Sequence, residues 1–241
     1  MKHLEGLVLR YFSWLGVGLI ATTALVHAQQ APNGAAPAAQ ATAPEAKAAS
    51  EPPEPMEAPQ PGDHWTYESR DEITGDVKST FVQTVTDVTP TEINVRVTVL
   101  GNPNNGYVTF DSGWNLTNDG TWRFAPNDGS GVRVPLSIGK SWPIKATGIR
   151  TAPNATWKRS GTAKVVGQES VTTRAGTFDT FKIEISYQLQ NSNDPTKKAQ
   201  IIQRTWYAPA VDHWVKRTAE SRQDGRLTDK NSVELVEYGR R

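Results

Sequence analysis

The residues best suited to chemistry are two copies of one tripeptide, Asp63-His64-Trp65 and Asp212-His213-Trp214. The chain has four histidines, and the other two, His3 and His27, fall in an N-terminal segment with the character of an export signal. An imidazole and a carboxylate from each copy are donor types that zinc and copper sites use. If the strands carrying them are neighbours, Asp63, His64, Asp212 and His213 converge on one ion. The chain would then be a metal-binding protein or a metal-dependent hydrolase. No helical or hairpin spacing forces the copies together. The simpler reading is two turn aspartates, each followed by a partly exposed histidine at the start of a strand.

Other chemistries find less support. The chain has no cysteine and no Gly-x-Ser-x-Gly, so it lacks the usual nucleophile settings. Ser112, Ser130 and Ser160 sit beside glycines, as turn residues do. Asp111, Asp119 and Asp128 are loop aspartates without the spacing of a calcium loop. Glycines fall in turns rather than in a phosphate-cradling loop ahead of a helix, so no cofactor is expected.

Aromatic residues are the remaining candidates. Seven tryptophans follow residue 61, at 65, 114, 122, 142, 157, 206 and 214. Trp114, Trp122 and Phe124 lie in a short polar hairpin region, where a platform for a glycan or lipid is one reading. The plainer one is that they cover an open end of a curved sheet.

The elements that must position these residues are strands. Ile93, Val95, Val97 and Val99 alternate with Asn94, Arg96 and Thr98; Phe181, Ile183, Ile185, Tyr187 and Leu189 alternate with polar residues. A period of two puts one set on a core face and the other toward water. Further strands are expected over 63–70, 77–88, 107–110, 114–117, 121–124, 142–149, 156–168, 200–208, 213–220 and 230–238. Turn signals such as Thr74-Gly75-Asp76, Asn118-Asp119-Gly120 and Asp224-Gly225 separate them. Pro135-Leu136-Ser137-Ile138-Gly139 reads as a loop. No segment after residue 60 shows a sustained apolar stripe at helical period. The expected fold is all-β: a curved antiparallel sheet, either an open half-barrel or barrel-like, with few or no helices. Gly62-x-x-Trp65 and Gly139-x-x-Trp142 echo one another, each a glycine turn followed by an indole that anchors a strand.

Lys2 and Arg10 precede an apolar stretch from Tyr11 to Val26, which ends in Val26-His27-Ala28. This is the layout of a secretory signal peptide spanning 1–28. The apolar stretch is short for a membrane span, which needs about 20 residues, so no span is expected after cleavage. Residues 29–60 hold seven prolines and eleven alanines and read as a disordered linker that cannot bury enough surface to order itself. Residues 61–241 then form one domain. That segment carries 23 Lys/Arg against 20 Asp/Glu, without the concentrated basic face that nucleic acid demands.

Three segments carry a resemblance: Pro61-Gly62-Asp63-His64-Trp65-Thr66-Tyr67-Glu68, Ala175-Gly176-Thr177-Phe178-Asp179-Thr180-Phe181-Lys182-Ile183, and Thr205-Trp206-Tyr207-Ala208-Pro209-Ala210-Val211-Asp212-His213-Trp214-Val215-Lys216. Together they resemble the TapB-like group of bacterial envelope proteins and related exported domains of unknown function. These are similar in outline to the half-barrels of lipoprotein carriers such as LolA and LolB. The resemblance implies a periplasmic or secreted β domain with no established catalytic residue. Where its pattern carries glycine, this chain has Asp212-His213. The expected function is a non-enzymatic envelope module that binds an apolar ligand or docks an envelope protein partner.

Overall fold

Twelve antiparallel strands close into a barrel in a computed structural model that describes residue 56 and residues 58–240. The expected signal segment lies outside the described residues, as does most of the expected linker. The strands are β1 (His64–Asp71), β2 (Val77–Val88), β3 (Glu92–Val99), β4 (Asn105–Asp111), β5 (Leu116–Asn118), β6 (Arg123–Ala125), β7 (Ser141–Thr151), β8 (Asn154–Thr173), β9 (Gly176–Asn191), β10 (Lys198–Ala208), β11 (His213–Gln223) and β12 (Arg226–Gly239). Each pairs with its neighbours in sequence, and β12 returns to β1. The expected alternation therefore belongs to a sheet with no free edge, which removes the hazard of exposed ladder groups. The only helical element among the described residues is a 3-10 turn, Pro209–Val211.

An up-and-down order puts the start of every odd-numbered strand at one end of the barrel. Trp65, Trp142 and Trp214 all sit at or beside such starts and are buried. The Gly-x-x-Trp echo is thus two strand entries at the same end. Gly62 (φ 101°) and Gly139 (φ 88°) take the left-handed region that the turn needs. Asp212 occupies that region too, at φ 44°, so an aspartate does the work expected of glycine.

The wall is not uniform. β8 and β9 pair along their whole length, from Trp157↔Asn191 to Thr173↔Gly176. Beyond Phe181 this hairpin outruns β10, then docks through Arg174 on Glu68 and Phe178 on Tyr238. Between β4 and β7 the ladder is sparse. β5 pairs with β6 only at Asn118↔Arg123, and β6 meets β7 over three residue pairs. Carboxylates tie this seam. Asp111 Oδ1 accepts from Gly113 N and Asn115 N, both at 2.9 Å, and Asp119 Oδ1 accepts from Thr121 N (2.9 Å) and Trp122 N (2.6 Å). Asp128 Oδ1 accepts from Leu116 N at 2.9 Å and Ser130 N at 3.0 Å. The expected strand at 114–117 begins only at Leu116. Trp114 instead takes φ 58° in the preceding turn.

Candidate functional site

The plugged end is built around His213. Its imidazole is 1% exposed and packed by Trp114 (ring centroids 4.4 Å apart), Trp65 (4.6 Å) and Trp214 (5.3 Å). Nδ1 lies 2.8 Å from the Tyr67 hydroxyl, which donates its own proton to Trp214 O at 2.9 Å. The Tyr67 oxygen must therefore accept from Nδ1–H, which leaves Nε2 as the bare nitrogen. Nε2 has no partner. Burial among the rings, helped by the Arg217 charge, holds His213 well below the usual histidine range. It is a neutral, fixed imidazole. Burial raises the Tyr67 hydroxyl in the same way.

Asp212 closes the cluster from the turn. Tyr207 donates to its Oδ1 at 2.6 Å and Trp114 Nε1 to its Oδ2 at 3.3 Å. Burial, reinforced by the nearby charge of Asp63, lifts its carboxyl above the usual range. Asp63 is 2% exposed, accepts from Gln60 N at 2.8 Å, and pairs with Arg240 at 3.6 Å. Met56 N donates to Ala210 O and Arg240 to Ala58 O, so the chain ahead of β1 is laid against this end.

The two tripeptides thus meet through their aspartates, while their histidines take different sides of the wall. His64 is partly exposed beside Gly239, with Nδ1 at 3.3 Å from Gly62 O. Among the described residues, no three His, Cys, Asp or Glu are gathered as a metal would need. Trp114, Trp122 and Phe124 are likewise split. Trp114 belongs to the plug, while Trp122 and Phe124 flank Gly148 of β7, where a Cβ would lie 3.0 Å from the Phe124 ring. All three are buried.

Beneath the plug a few polar side chains enter an otherwise apolar interior. Inward positions of β10 carry Gln203 and Thr205, while Ile202, Arg204 and Trp206 point out. Gln203 Nε2 donates to Thr205 Oγ1 at 3.0 Å. Across the barrel, Arg159 of β8 lies between the rings of Phe124 (4.5 Å) and Tyr187 (5.3 Å) and pairs with Asp128 at 3.2 Å. A second arginine, Arg217 of β11, enters the same space. In a regular strand Trp214 and Arg217, three apart, face opposite ways. A bulge at Val215 changes this: Tyr207 pairs with Trp214, Trp206 with Lys216, and Thr205 with Arg217. Both side chains therefore turn inward, and the Arg217 guanidinium sits 4.6 Å over the Trp214 ring.

Arg217, Arg159, Gln203 and Thr205 were not picked out as inward residues by the sequence reading, whereas Tyr187 was placed on the core face and is buried. Strict alternation from Trp214 assigns Lys216 to its face and sends Arg217 outward. The available signal was in β10, where Gln203 and Thr205 hold the phase of Ile201 and Tyr207 while Trp206 does not.

No curated protein matches this chain. Solved structures of low sequence identity are similar to it. A "putative lipoprotein" from Parabacteroides distasonis ATCC 8503 aligns over 78% of this chain and 100% of its own, with TM-score 0.50 and 15% identity. A "putative exported protein with YmcC-like fold" from Bacteroides fragilis NCTC 9343 gives the same coverage at TM-score 0.46 and 14% identity. The hypothetical lipoprotein YmcC from Escherichia coli covers 72% of this chain and 84% of its own, at TM-score 0.44 and 9% identity. Residues 152–228, from the entry of β8 to the first residues of β12, match the DUF3108-like family model.

Proposed function

We propose that this chain is an exported envelope protein whose barrel lumen holds an apolar ligand without converting it. One observation carries the reading: most inward side chains are buried, yet a few inward positions are not sealed. Gly161, Arg217 and Val233 hold inward positions in the pairing and still keep accessible surface. Closed barrels of this kind house ligands in such space. The inward side chains around these positions are mainly apolar, with Ile183, Ile185, Ile201 and Leu235 fully buried and a few polar groups among them. Trp122 and Phe124 line the seam side of the chamber, and Trp114 belongs to the plug above it.

The character of the inner groups supports binding without turnover. The inner imidazole is neutral, its Nδ1 spent on Tyr67 and its Nε2 facing rings rather than a nucleophile. Placement in the periplasm or outside the cell rests on Lys2, Arg10 and the apolar stretch ending at Val26-His27-Ala28. The P. distasonis protein of similar fold is itself named a "putative lipoprotein".

Native mass spectrometry of protein recovered from the periplasm tests this. The expected spectrum shows a small adduct that is lost on denaturation and extracts into organic solvent. Bare protein, together with no uptake of added apolar compounds, refutes it.

A further inference from the structure

Resting on that lumen-binding reading, we infer that Arg217 is an anchor for an oxyanion, so that the ligand is an amphiphile with an anionic head and an apolar tail. The argument begins with charge. Arg217 points into the barrel, and its Nε donates to Thr205 Oγ1 at 3.3 Å. Its remaining contact is the Trp214 ring. Among the described residues no carboxylate lies within ion-pair distance of it, and its two terminal nitrogens have no protein partner.

The other lumen arginine is different. Arg159 has Asp128, and Asp128 is fully engaged: Oδ2 by Arg159, Oδ1 by Leu116 N and by the amide and hydroxyl of Ser130. Asp128 reaches Arg217 only through space, as do the Tyr67 and Tyr187 hydroxyls.

A guanidinium removed from bulk water without a partner is costly, and a protein normally pairs or hydrates it. Arg217 as a whole is half-buried rather than sealed. Stacking on Trp214 and the bond to Thr205 fix the plane of the fork and leave its outer N–H groups free. That geometry matches two oxygens of a carboxylate or phosphate. Around it, Ile183, Val233 and Leu235 supply apolar wall for a tail.

Titration calorimetry on the purified protein separates the possibilities with eight-carbon probes: octanoate, octyl phosphate, 1-octanol and octyltrimethylammonium. The expected order is an anion first, at least tenfold tighter than octanol, with the cation weakest. Whichever of octanoate and octyl phosphate binds tighter identifies the head group. Arg217→Met should abolish the preference and leave octanol binding within about twofold. Thr205→Val keeps the charge but frees the fork. It should weaken the anion severalfold without touching octanol, and it serves if Arg217→Met does not fold. Equal binding of octanoate, octyl phosphate and octanol by the unmodified protein overturns the anion site while leaving the lumen reading intact. Binding of none of the four overturns both. An anion preference that persists in folded Arg217→Met places the site elsewhere and also overturns the inference.

Discussion

The β8–β12 wall and the β4–β7 seam solve the same problem with different materials. On the wall, backbone ladders run for up to sixteen residue pairs, as between β8 and β9, where a single bulge at Val166 interrupts the register. Apart from Arg159 and Arg217, which turn inward, charges there pair on the outside, as in Arg204 with Glu184 and Glu220, or Lys216 with Glu234. At the seam the strands are three residues long, and buried carboxylates supply acceptors that a neighbouring strand would otherwise give. Asp119 and Asp128 are both 6% exposed. A wall made of ladders tolerates the loss of one side chain. A seam pegged by side chains does not. The seam is also where a cleft of about 190 Å³ opens, lined by Asn115, Asn127, Gly129, Trp142 and Ile144 among others.

The largest effect is expected where a peg also neutralises a charge. Asp128→Ala leaves Arg159 unpaired in the core and Leu116 N without an acceptor. Removing one partner of a buried pair costs about 3–5 kcal/mol, which urea unfolding will read as a lowered midpoint. Next comes the tight approach at the seam. A Cβ at Gly129 would lie 2.8 Å from Ile144 Cγ2, and the residue has φ +77°. Gly129→Ala should therefore cost about 1–3 kcal/mol from crowding and backbone strain together. Made on an Ile144→Ala background, which lacks both Cγ atoms, Gly129→Ala should cost only the backbone part. The smallest effect belongs to the wall: Glu184→Ala, on a pair whose side chains are 36% and 43% exposed, should cost no more than about 1 kcal/mol. Comparable losses for Asp128→Ala and Glu184→Ala would erase the distinction.

The plug gives a signed pH test. His213 is depressed in the folded protein, whereas an unfolded histidine titrates near 6.5. Below about pH 6.5 the unfolded chain takes up a proton that the folded chain refuses. Stability therefore falls as pH drops from that point toward the folded value. Above pH 7 the group contributes no slope. His213→Phe keeps an aromatic ring in the box and should be less stable at pH 8, but the gap to the unmodified protein should narrow on acidification to pH 5. A gap that stays constant would mean that the imidazole is protonated in the fold.

Much of this fold was legible. Period-two runs located strands close to where all twelve lie, and Asn118-Asp119-Gly120 is the β5–β6 hairpin, closed by Asp119 N on Trp122 O. Closure into a barrel was left open alongside a half-barrel. It depends on β12 finding β1, a pairing that spans the domain and leaves no local mark. The loop aspartates were recognised as turn residues, but their role as pegs was not, since the amides they serve are up to 12 residues away. The inward polar side chains were missed for a sharper reason. One extra residue at Val215 inverts the phase of β11, and a sequence carries no sign of which strand will bulge.

The central claim is that space inside the barrel, rather than a surface patch, receives the ligand. Nuclear Overhauser effects from carbon-13-labelled 1-octanol to methyl-labelled protein test it most directly. Ile185 points inward and is 1% exposed, whereas Val166, at the outer wall, is 42% exposed. The account predicts transfer from the octyl chain to the methyls of Ile185, Val233 and Leu235, and none to Val166. Transfer confined to Val166 and other outer methyls, with the inner set silent, would contradict it.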